Sequence, residues 1–307
     1  MRGLLVVNPR ATTTTERVRD VIVAALHTEV DLEVVVTTHA GHAQELGEQA
    51  RHDGLDVVIT LGGDGTINEA VNGMLADGPG PDVPALATVP GGSANVLARA
   101  AGLPKDPVEA TGVLLGGLHD RRFRTIGLGR ANDRWFTMNA GMGLDAEIIS
   151  AMESQRAAGK KASPTRYLAT TLNEYFRRTD RRNPAITLRR PDGSEIDHVF
   201  VCIVQNAAPW TFLGDLPVNP NPEATFDDGL AVFAIRDLRV VPSLRVTRSL
   251  IWGTPEVERK GLFVARDLAS VELTADPAIA VQIDGEGVGP QHTLRLESVP
   301  RALRLVV

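Results

Sequence analysis

A glycine-rich run with one acidic residue, Gly62-Gly63-Asp64-Gly65-Thr66, is the strongest chemical signal in the sequence. It directly follows Val57 to Leu61, an apolar run with the composition of a buried strand. Glycines at the carboxyl end of a parallel strand let main-chain N–H groups approach a polyphosphate. A carboxylate among phosphates is useful when it binds Mg²⁺ or handles a proton. The run favours chemistry on a nucleotide, although Asp-Gly is also a common tight turn.

A second glycine-rich loop, Pro90-Gly91-Gly92-Ser93-Ala94-Asn95, follows the next apolar run, Ala85 to Val89. Loops at the ends of adjacent strands line one crevice of an open α/β sheet, where Ser93 and Asn95 could bond phosphate or ribose oxygens. Ser93 could also cap the next helix. The chain contains neither the P-loop pattern ending in Gly-Lys-Ser/Thr nor the protein-kinase catalytic loop. Both common scaffolds for phosphoryl transfer are therefore excluded.

Alternating strand and helix patterns position these loops. Leu4 to Val7 and Leu32 to Val36 are apolar runs like the two already named, and each of the four is followed by apolar residues at helical spacing. Thr13-Thr14-Thr15-Glu16 has the spacing of a capping box before the first helix. Four strand-helix units predict a doubly wound parallel sheet with right-handed crossovers.

Beyond Arg121 the sequence becomes β-rich, with Asp-Gly turn pairs between short runs. The predicted strands are Trp135 to Asn139, Ile186 to Leu188, Val199 to Gln205, Leu230 to Ile235, Val271 to Thr274 and Ile279 to Ile283. Two helical insertions are predicted at Tyr167 to Arg177 and Ser243 to Trp252. We expect an α/β domain over 1–122 and an antiparallel, sandwich-like β domain over 123–293.

The composition excludes several functional classes. A net charge of -6 argues against general nucleic-acid binding, which needs a concentrated basic surface. A single cysteine, Cys202, excludes internal disulfides and multi-cysteine metal clusters, and its apolar surroundings predict a buried, inert thiol. The histidines considered, which are His42, His52, His119 and His292, show no metal-binding spacing and are interpreted as surface or packing residues.

No apolar stretch approaches the length of a membrane-spanning helix, and Leu4 to Val7 is too short for the core of a signal peptide. We expect a cytoplasmic protein that reaches membranes only from their surface. Basic pairs in the second half of the chain could contact such a surface; they are Lys160-Lys161, Arg177-Arg178, Arg181-Arg182 and Arg189-Arg190. Each cation near an anionic membrane surface contributes about 1 kcal/mol to binding. Ordinary solvated faces explain these pairs equally well.

Six motifs in a fixed order carry a family resemblance. They are Asn8-Pro9; Gly62 to Glu69 with Val71-Asn72-Gly73; Pro90 to Asn95; Asn139-Ala140-Gly141-x-Gly143-x-Asp145; Asp227-Asp228-Gly229-Leu230; and Asp284-Gly285-Glu286. The chain resembles the diacylglycerol kinase catalytic family, bacterial lipid kinases related to sphingosine kinase and, more distantly, to NAD kinase. The resemblance spans nearly the whole chain. It implies ATP-dependent phosphorylation of a hydroxyl on diacylglycerol or a similar lipid at a membrane surface, and a return of segment 294–307 to the first domain.

The resemblance also assigns site residues. ATP is expected at Asn8, Thr37, Gly62, Gly63, Asp64, Gly65, Thr66, Ile67, Asn68, Ser93 and Glu286. Because Thr38 is adjacent to Thr37, it is left open which of these two threonines contacts the nucleotide. Asp284 is the implied general base and Asp64 the second catalytic carboxylate, although Asp284-Gly285 also has the composition of a hairpin turn. Mg²⁺ is expected at Asp228 and the main-chain carbonyls of Thr225 and Leu230.

The sequence departs from the family pattern in two places. The loop after Asn8-Pro9 lacks glycine, so Arg10 and the threonines from Thr12 to Thr15 would have to meet the phosphates. Trp210 to Asn221 lacks the glycines often found before Asp-Asp-Gly. The lipid specificity that the resemblance implies is therefore left open. An NAD kinase-like enzyme and a non-catalytic lipid- or nucleotide-binding protein remain as alternatives, and a homodimer is left open.

Overall fold

The computed structural model describes residues 1–11, 15–143, 185–237 and 261–307. The chain divides into two compact units: Met1–Leu128 with Pro300–Val307, and Gly129–Val299. The change of unit after Leu128 lies a few residues beyond the predicted boundary at 122. Both predicted helical insertions, Asp145 and three of the four basic pairs lie outside the described residues.

The first unit is built on a parallel sheet. Its strands are β1 (Arg2–Val7), β2 (Asp31–Val36), β3 (Val57–Gly62) and β4 (Ala85–Pro90). They are hydrogen-bonded in the order β4-β3-β1-β2, and Val7 lies opposite both Leu61 and Val36. The residues that follow these strands therefore come together at one edge of the sheet.

Helices connect and cover these strands. They are α1 (Glu16–Leu26), α2 (His42–His52), α3 (Asp64–Met74), α4 (Val96–Ala100) and α5 (Pro107–His119). β3 and β4 are buried at every position, as expected of parallel strands covered on both faces. On one side, Ile22 of α1 and Leu114 of α5 pack with Leu5 and Ile59. The predicted doubly wound α/β fold is confirmed.

The amino terminus of α1 differs from the prediction. Its N-cap is Thr15, whose hydroxyl accepts a hydrogen bond from the N–H of Val18 at 3.3 Å. The proposed capping box beginning at Thr13 was wrong in position, because a run of threonines offers several equivalent hydroxyls and its spacing alone cannot choose among them.

Two glycines let α2 and α3 pack backbone against backbone. A Cβ at Gly73 would lie 1.9 Å from the carbonyl oxygen of Gln44, and a Cβ at Gly47 would lie 2.4 Å from the carbonyl oxygen of Ala70. Neither position can hold a side chain without moving a helix. This packing anchors α3, which begins at the first glycine-rich loop.

The second unit is β-rich and antiparallel. After β5 (Phe123–Ala131) come β6 (Arg134–Phe136), β7 (Asn139–Gly143), β8 (Ile186–Arg189), β9 (Glu195–Val199), β10 (Val201–Gln205), β11 (Thr211–Leu213), β12 (Leu216–Val218), β13 (Leu230–Ile235), β14 (Leu262–Leu268), β15 (Ser270–Ile283) and β16 (Glu286–Val306). Strands β14, β13, β10, β7, β15 and β16 are neighbours in that order. The predicted antiparallel β-rich region is confirmed.

Three strand predictions need correction. The predicted strand Val199 to Gln205 is divided between β9, which ends at Val199, and β10, which begins at Val201. The predicted strand Trp135 to Asn139 is divided between β6 and β7. The two predicted strands Val271 to Thr274 and Ile279 to Ile283 are one strand, β15, with a register shift between Thr274 and Ile279. An irregularity of this kind absorbs the intervening Pro277, which the sequence pattern treats as a strand end.

Strand β16 contributes to both units. Its residues up to Glu297 pair with β15, whereas Leu305 lies opposite Leu86 of β4 in parallel orientation. The residues that belong to the first unit begin at Pro300, later than the predicted start of the return at 294.

Candidate active site

The first glycine-rich loop joins β3 to α3. Gly62 ends the strand, Gly63 is the N-cap in an extended conformation, and Asp64 is the first residue of the helix. A side chain at Gly62 would meet the Thr66 hydroxyl at 2.7 Å. Gly65 is exposed, and no atom beyond its own helical turn lies within 4 Å of the place its Cβ would take. The start of α3 therefore presents main chain with open space above it.

The second glycine-rich loop contacts the first directly. The Gly91 N–H donates to the Gly62 carbonyl oxygen at 2.7 Å. A Cβ at Gly92 would lie only 2.6 Å from the Gly63 Cα. The structure thus brings the two loops together at the ends of neighbouring strands, and the contact requires glycine because any side chain at Gly92 would separate them.

The Asp64 carboxylate joins the first loop to α4. Its Oδ1 accepts hydrogen bonds from the N–H groups of Val96 at 2.6 Å and Leu97 at 3.4 Å. Arg99 is close enough for the Asp64 charge to affect its pKa: burial lowers the pKa of the Arg99 guanidinium from its usual value, and the carboxylate opposes that shift. Asp64 is therefore more than a turn residue. The sequence did not indicate Arg99 as a site residue, because helical periodicity does not show that the first glycine-rich loop lies near this helix.

Asparagine side chains hold both loops in shape. Asn8 donates from Nδ2 to the Thr66 hydroxyl at 2.8 Å and accepts from the Arg10 N–H at 2.9 Å. Asn95 accepts from the Gly92 N–H and donates to the Gly92 carbonyl, both at 2.8 Å. Asn95, with a φ of 48°, is the N-cap of α4, so the alternative in which Ser93 caps this helix is wrong. Ser93 is exposed beside the glycines.

The remaining predicted nucleotide residues of this unit fall into two groups. Ile67 and Asn68 are buried in α3, where Asn68 accepts from the side chain of Asn72. Thr37 and Thr38 follow β2 at the same sheet edge; the Thr37 N–H donates to the Val7 carbonyl at 2.8 Å. Thr37 is half-buried and Thr38 is exposed.

In the second unit, Asp284 forms the turn between β15 and β16. Asp284 and Gly285 have φ values of 46° and 81°, so the predicted hairpin turn is present. The carboxylate is also fully engaged. One oxygen accepts from the N–H and hydroxyl of Thr137 at 2.7 and 2.9 Å, and the other accepts from the N–H groups of Met138 and Asn139 at 2.8 and 3.0 Å. Asp284 thereby fixes the segment between β6 and β7.

Buried amides extend this network. Gln282 donates to the Asn139 side-chain oxygen at 2.7 Å, and Asn139 donates to the Trp210 carbonyl at 3.1 Å. The Gly285 N–H donates to the Gln282 side chain at 2.9 Å. Glu286 forms an ion pair with Arg134. Asn139 was visible in a motif, but its connection to Trp210 was not, because the two residues are far apart in the chain.

The predicted metal ligands lie in the turn before β13. The Thr225 hydroxyl donates to the Asp228 carboxylate at 2.6 Å, and the Asp228 N–H donates to the Thr225 carbonyl at 3.3 Å. Thr225 and Asp228 are exposed, whereas Leu230 is buried at the start of β13. One carboxylate with neighbouring carbonyl and hydroxyl oxygens is a hard donor set, so the residues present fit Mg²⁺.

The described basic pair carries little uncompensated charge. Arg189 is paired with Glu195 at 2.6 Å, and the hydrogen bond that its guanidinium donates to that carboxylate raises the pKa of Arg189. Arg190 lies 3.5 Å from Asp192. In the described ranges, no helix is long and apolar enough to span a bilayer.

Comparison with known proteins identifies the relatives of this chain. A family model described as the diacylglycerol kinase catalytic domain matches residues 2–131. A YegS-like lipid kinase of Chromohalobacter salexigens is 31% identical over 258 residues, which cover 83% of this chain and 77% of the relative. The chain belongs to the YegS-like lipid kinases, which carry a diacylglycerol kinase catalytic domain. It is thus a phosphotransferase with an alcohol acceptor, of the lipid kinase type.

Solved structures of related fold match nearly the whole length of this chain. A diacylglycerol kinase from Bacillus anthracis str. Sterne superposes with a TM-score of 0.72 at 19% identity, covering 99% of this chain and 96% of that one. An NAD kinase from Archaeoglobus fulgidus in complex with ATP gives a TM-score of 0.51 at 13% identity, covering 100% and 94%. The predicted resemblance and fold class are confirmed.

Proposed function

We propose that the protein transfers the γ-phosphate of ATP to a hydroxyl of diacylglycerol or a similar membrane lipid. The observation that carries this proposal is the backbone contact between the turns at Gly62–Gly63 and Gly91–Gly92. At this sheet edge the amino terminus of the 11-residue helix α3 is open, because nothing beyond its own helical turn lies within 4 Å of a Cβ placed at Gly65. Such a surface suits a polyphosphate.

The first unit would hold the nucleotide. We assign the open space above Gly65 to phosphate oxygens, because no atom beyond its own helical turn lies within 4 Å of the place its Cβ would take. Thr66 and Asn8 would border it, Ser93 would contribute a hydroxyl, and Thr37 or Thr38 would contact the nucleotide from β2. Asp64, already tied to the N–H groups of α4, would hold the Mg²⁺ that accompanies ATP.

Asp284 would act on the acceptor hydroxyl. Four hydrogen bonds hold its carboxylate in a fixed position, and a positioned carboxylate is what a general base requires. Of the four donors, only the Thr137 hydroxyl can turn away without moving the backbone. We therefore propose that the lipid hydroxyl takes the place of the Thr137 hydroxyl at Oδ2. It would give its proton to that oxygen as its own oxygen bonds to the γ-phosphorus, while the bond from that phosphorus to the bridging oxygen breaks and ADP leaves.

The exposed turn at Asp228 would hold a second, structural Mg²⁺, with the carbonyls of Thr225 and Leu230 as further ligands. A bound ion would add positive charge to a turn in which the Thr225 hydroxyl donates to the Asp228 carboxylate and the Gly229 N–H donates to Asp267. Asp228 would thereby stabilise the turn that leads into β13.

An acceptor panel tests the proposed function. Native protein is incubated with γ-labelled ATP and Mg²⁺, with diacylglycerol, monoacylglycerol or a sphingoid base in the same micelles, and separately with NAD. Label on a lipid hydroxyl is the expected result. Transfer to NAD alone, or ATP binding without transfer to any acceptor, would overturn the proposal. Asp133→Asn, which changes a fully exposed carboxylate, is the matched control for the aspartate variants.

A further inference from the structure

Two imidazoles and a carboxylate converge at the start of α2 in the first unit. His39, His42 and Glu45 each offer a ligand atom, and these atoms lie within 4.8 Å of one another. The two imidazole rings are stacked, with centroids 4.8 Å apart and planes inclined by 19°. We propose that this cluster binds a divalent transition metal of the zinc class.

The hydrogen bond of His39 leaves the correct nitrogen for a metal. Its Nδ1 lies 3.0 Å from the Ala40 carbonyl oxygen, which can only accept, so Nδ1 carries the proton. Nε2 is then the nitrogen with a lone pair, and it lies 3.8 Å from the Glu45 carboxylate. An imidazole that donates one N–H to a backbone carbonyl and presents the other nitrogen is the usual arrangement of a metal-binding histidine.

His42 has a local acceptor that permits the matching tautomer. Its Nδ1 now accepts from the Thr38 N–H at 3.1 Å, which places the proton on Nε2. The Thr38 hydroxyl also lies 3.3 Å from Nδ1 and can accept a hydrogen bond from a protonated Nδ1. If the His42 proton moved from Nε2 to Nδ1, Nδ1 would donate to the Thr38 hydroxyl instead of accepting from the Thr38 N–H. Nε2 would then carry the lone pair and could bind the metal.

The distances need only side-chain adjustment. Two nitrogen ligands of a tetrahedral zinc ion, each about 2.0–2.1 Å from the metal, lie about 3.4 Å apart. His39 and Glu45 are exposed and His42 is half-buried, so rotations about their side-chain bonds can close the gap. Three protein ligands leave a fourth position for water, as in zinc sites that stay open.

The donor set selects the metal. Imidazole nitrogens suit Zn²⁺, Co²⁺ and Ni²⁺, whereas Mg²⁺ takes oxygen ligands. This site is therefore chemically distinct from the oxygen ligands at Asp228. Its spacing, His39-x-x-His42-x-x-Glu45, was overlooked because His42 was compared only with more distant histidines.

A filled site would also act on its neighbours. It would draw His42 away from the Thr38 N–H, and Thr37 and Thr38 are the residues proposed for nucleotide contact. That consequence rests on the proposed function, whereas metal binding itself does not.

The test is a calorimetric titration of untagged protein with Zn²⁺, repeated with Co²⁺ to follow its visible absorption. We expect saturable binding that excess Mg²⁺ does not displace. His39→Ala and Glu45→Gln should each weaken Zn²⁺ affinity by at least about tenfold, because second-shell changes alone weaken metal sites by 10–100-fold. His52→Ala, at the other end of the same helix and exposed, is the matched control and should bind as the native protein does.

His39→Ala leaves the contact between His42 and Thr38 intact, and circular dichroism should show a native spectrum. Absence of saturable Zn²⁺ binding would overturn the proposal. So would unchanged affinity in His39→Ala, or equal losses in His39→Ala and His52→Ala. A protein that binds Zn²⁺ but transfers no phosphate would refute the proposed function and leave this site standing.

Discussion

Replacing Asp284 by asparagine should reduce phosphoryl transfer far more than ATP binding. Asparagine keeps one oxygen, which can still accept from the N–H groups of Met138 and Asn139. Its amide nitrogen would then face the Thr137 N–H, which now donates to the carboxylate at 2.7 Å. One buried donor is left without an acceptor, at a cost of about 1–3 kcal/mol in the free energy of unfolding.

The loss of catalytic rate should be larger in free energy than the loss of stability, and the two can be measured separately. Removing a general base lowers the rate by about 10²–10⁴, or about 2.7–5.4 kcal/mol of activation free energy. A domain with about 5–15 kcal/mol of stability stays folded after losing 1–3 kcal/mol. Unfolding of the variant therefore cannot account for a rate loss of that size.

Three measurements separate the two roles of Asp284: the denaturation midpoint, the ATP affinity by calorimetry and the single-turnover rate with lipid. We expect a lowered midpoint, unchanged ATP affinity and a rate reduced by about 10²–10⁴. Asp133→Asn should leave all three unchanged, and Thr137→Val should lower the midpoint while leaving most of the rate. Asp284→Asn with the native rate, or with a loss confined to ATP affinity, would refute the general-base assignment and make Asp64 the leading candidate.

Three further predictions concern other acidic residues and the thiol. Asp64→Asn should weaken ATP·Mg²⁺ binding and turnover together, since it removes the charge beside the glycine loops; native ATP affinity by calorimetry would contradict this role. Asp228→Ala should lose Mg²⁺ binding beyond that of ATP·Mg²⁺ and lose activity as well, because carbonyls alone do not retain the ion; full activity without that binding would reject the structural metal site. Burial raises the pKa of the Cys202 thiol, so alkylation at pH 8, followed by mass spectrometry, should be far slower in native than in denatured protein; equal rates would show that the thiol is accessible.

Local patterns were sufficient for much of the first unit. β3 and β4 are apolar runs that end in glycines, and both features act over a few residues of chain. The two glycine-rich loops could therefore be placed at neighbouring strand ends. Adjacency in a parallel sheet follows from general rules of chain connection, so the meeting of Gly62 and Gly91 was also within reach.

Contacts between distant segments could not be predicted. Asp64 accepts a hydrogen bond from the first N–H group of α4, 32 residues further along the chain, and Asp284 binds the segment from Thr137 to Asn139, well over a hundred residues earlier. A carboxylate in an Asp-Gly pair has the same local signature whether it binds solvent, a ligand or a remote backbone. Only the fold determines which partner it meets.

The ATP affinity of Gly65→Ala, beside that of native protein, tests the nucleotide site most directly. The added methyl meets no atom beyond its own helical turn within 4 Å, so alanine fits and should stabilise α3 by up to about 1 kcal/mol. Gly112→Ala, at an exposed helical glycine with similar free space, is the matched control. If phosphates occupy the space above Gly65, Gly65→Ala should bind ATP at least about tenfold more weakly, a loss of about 1.4 kcal/mol, while unfolding no more easily than native protein. Native ATP affinity in Gly65→Ala would contradict the assignment of the glycine-rich loop to the nucleotide.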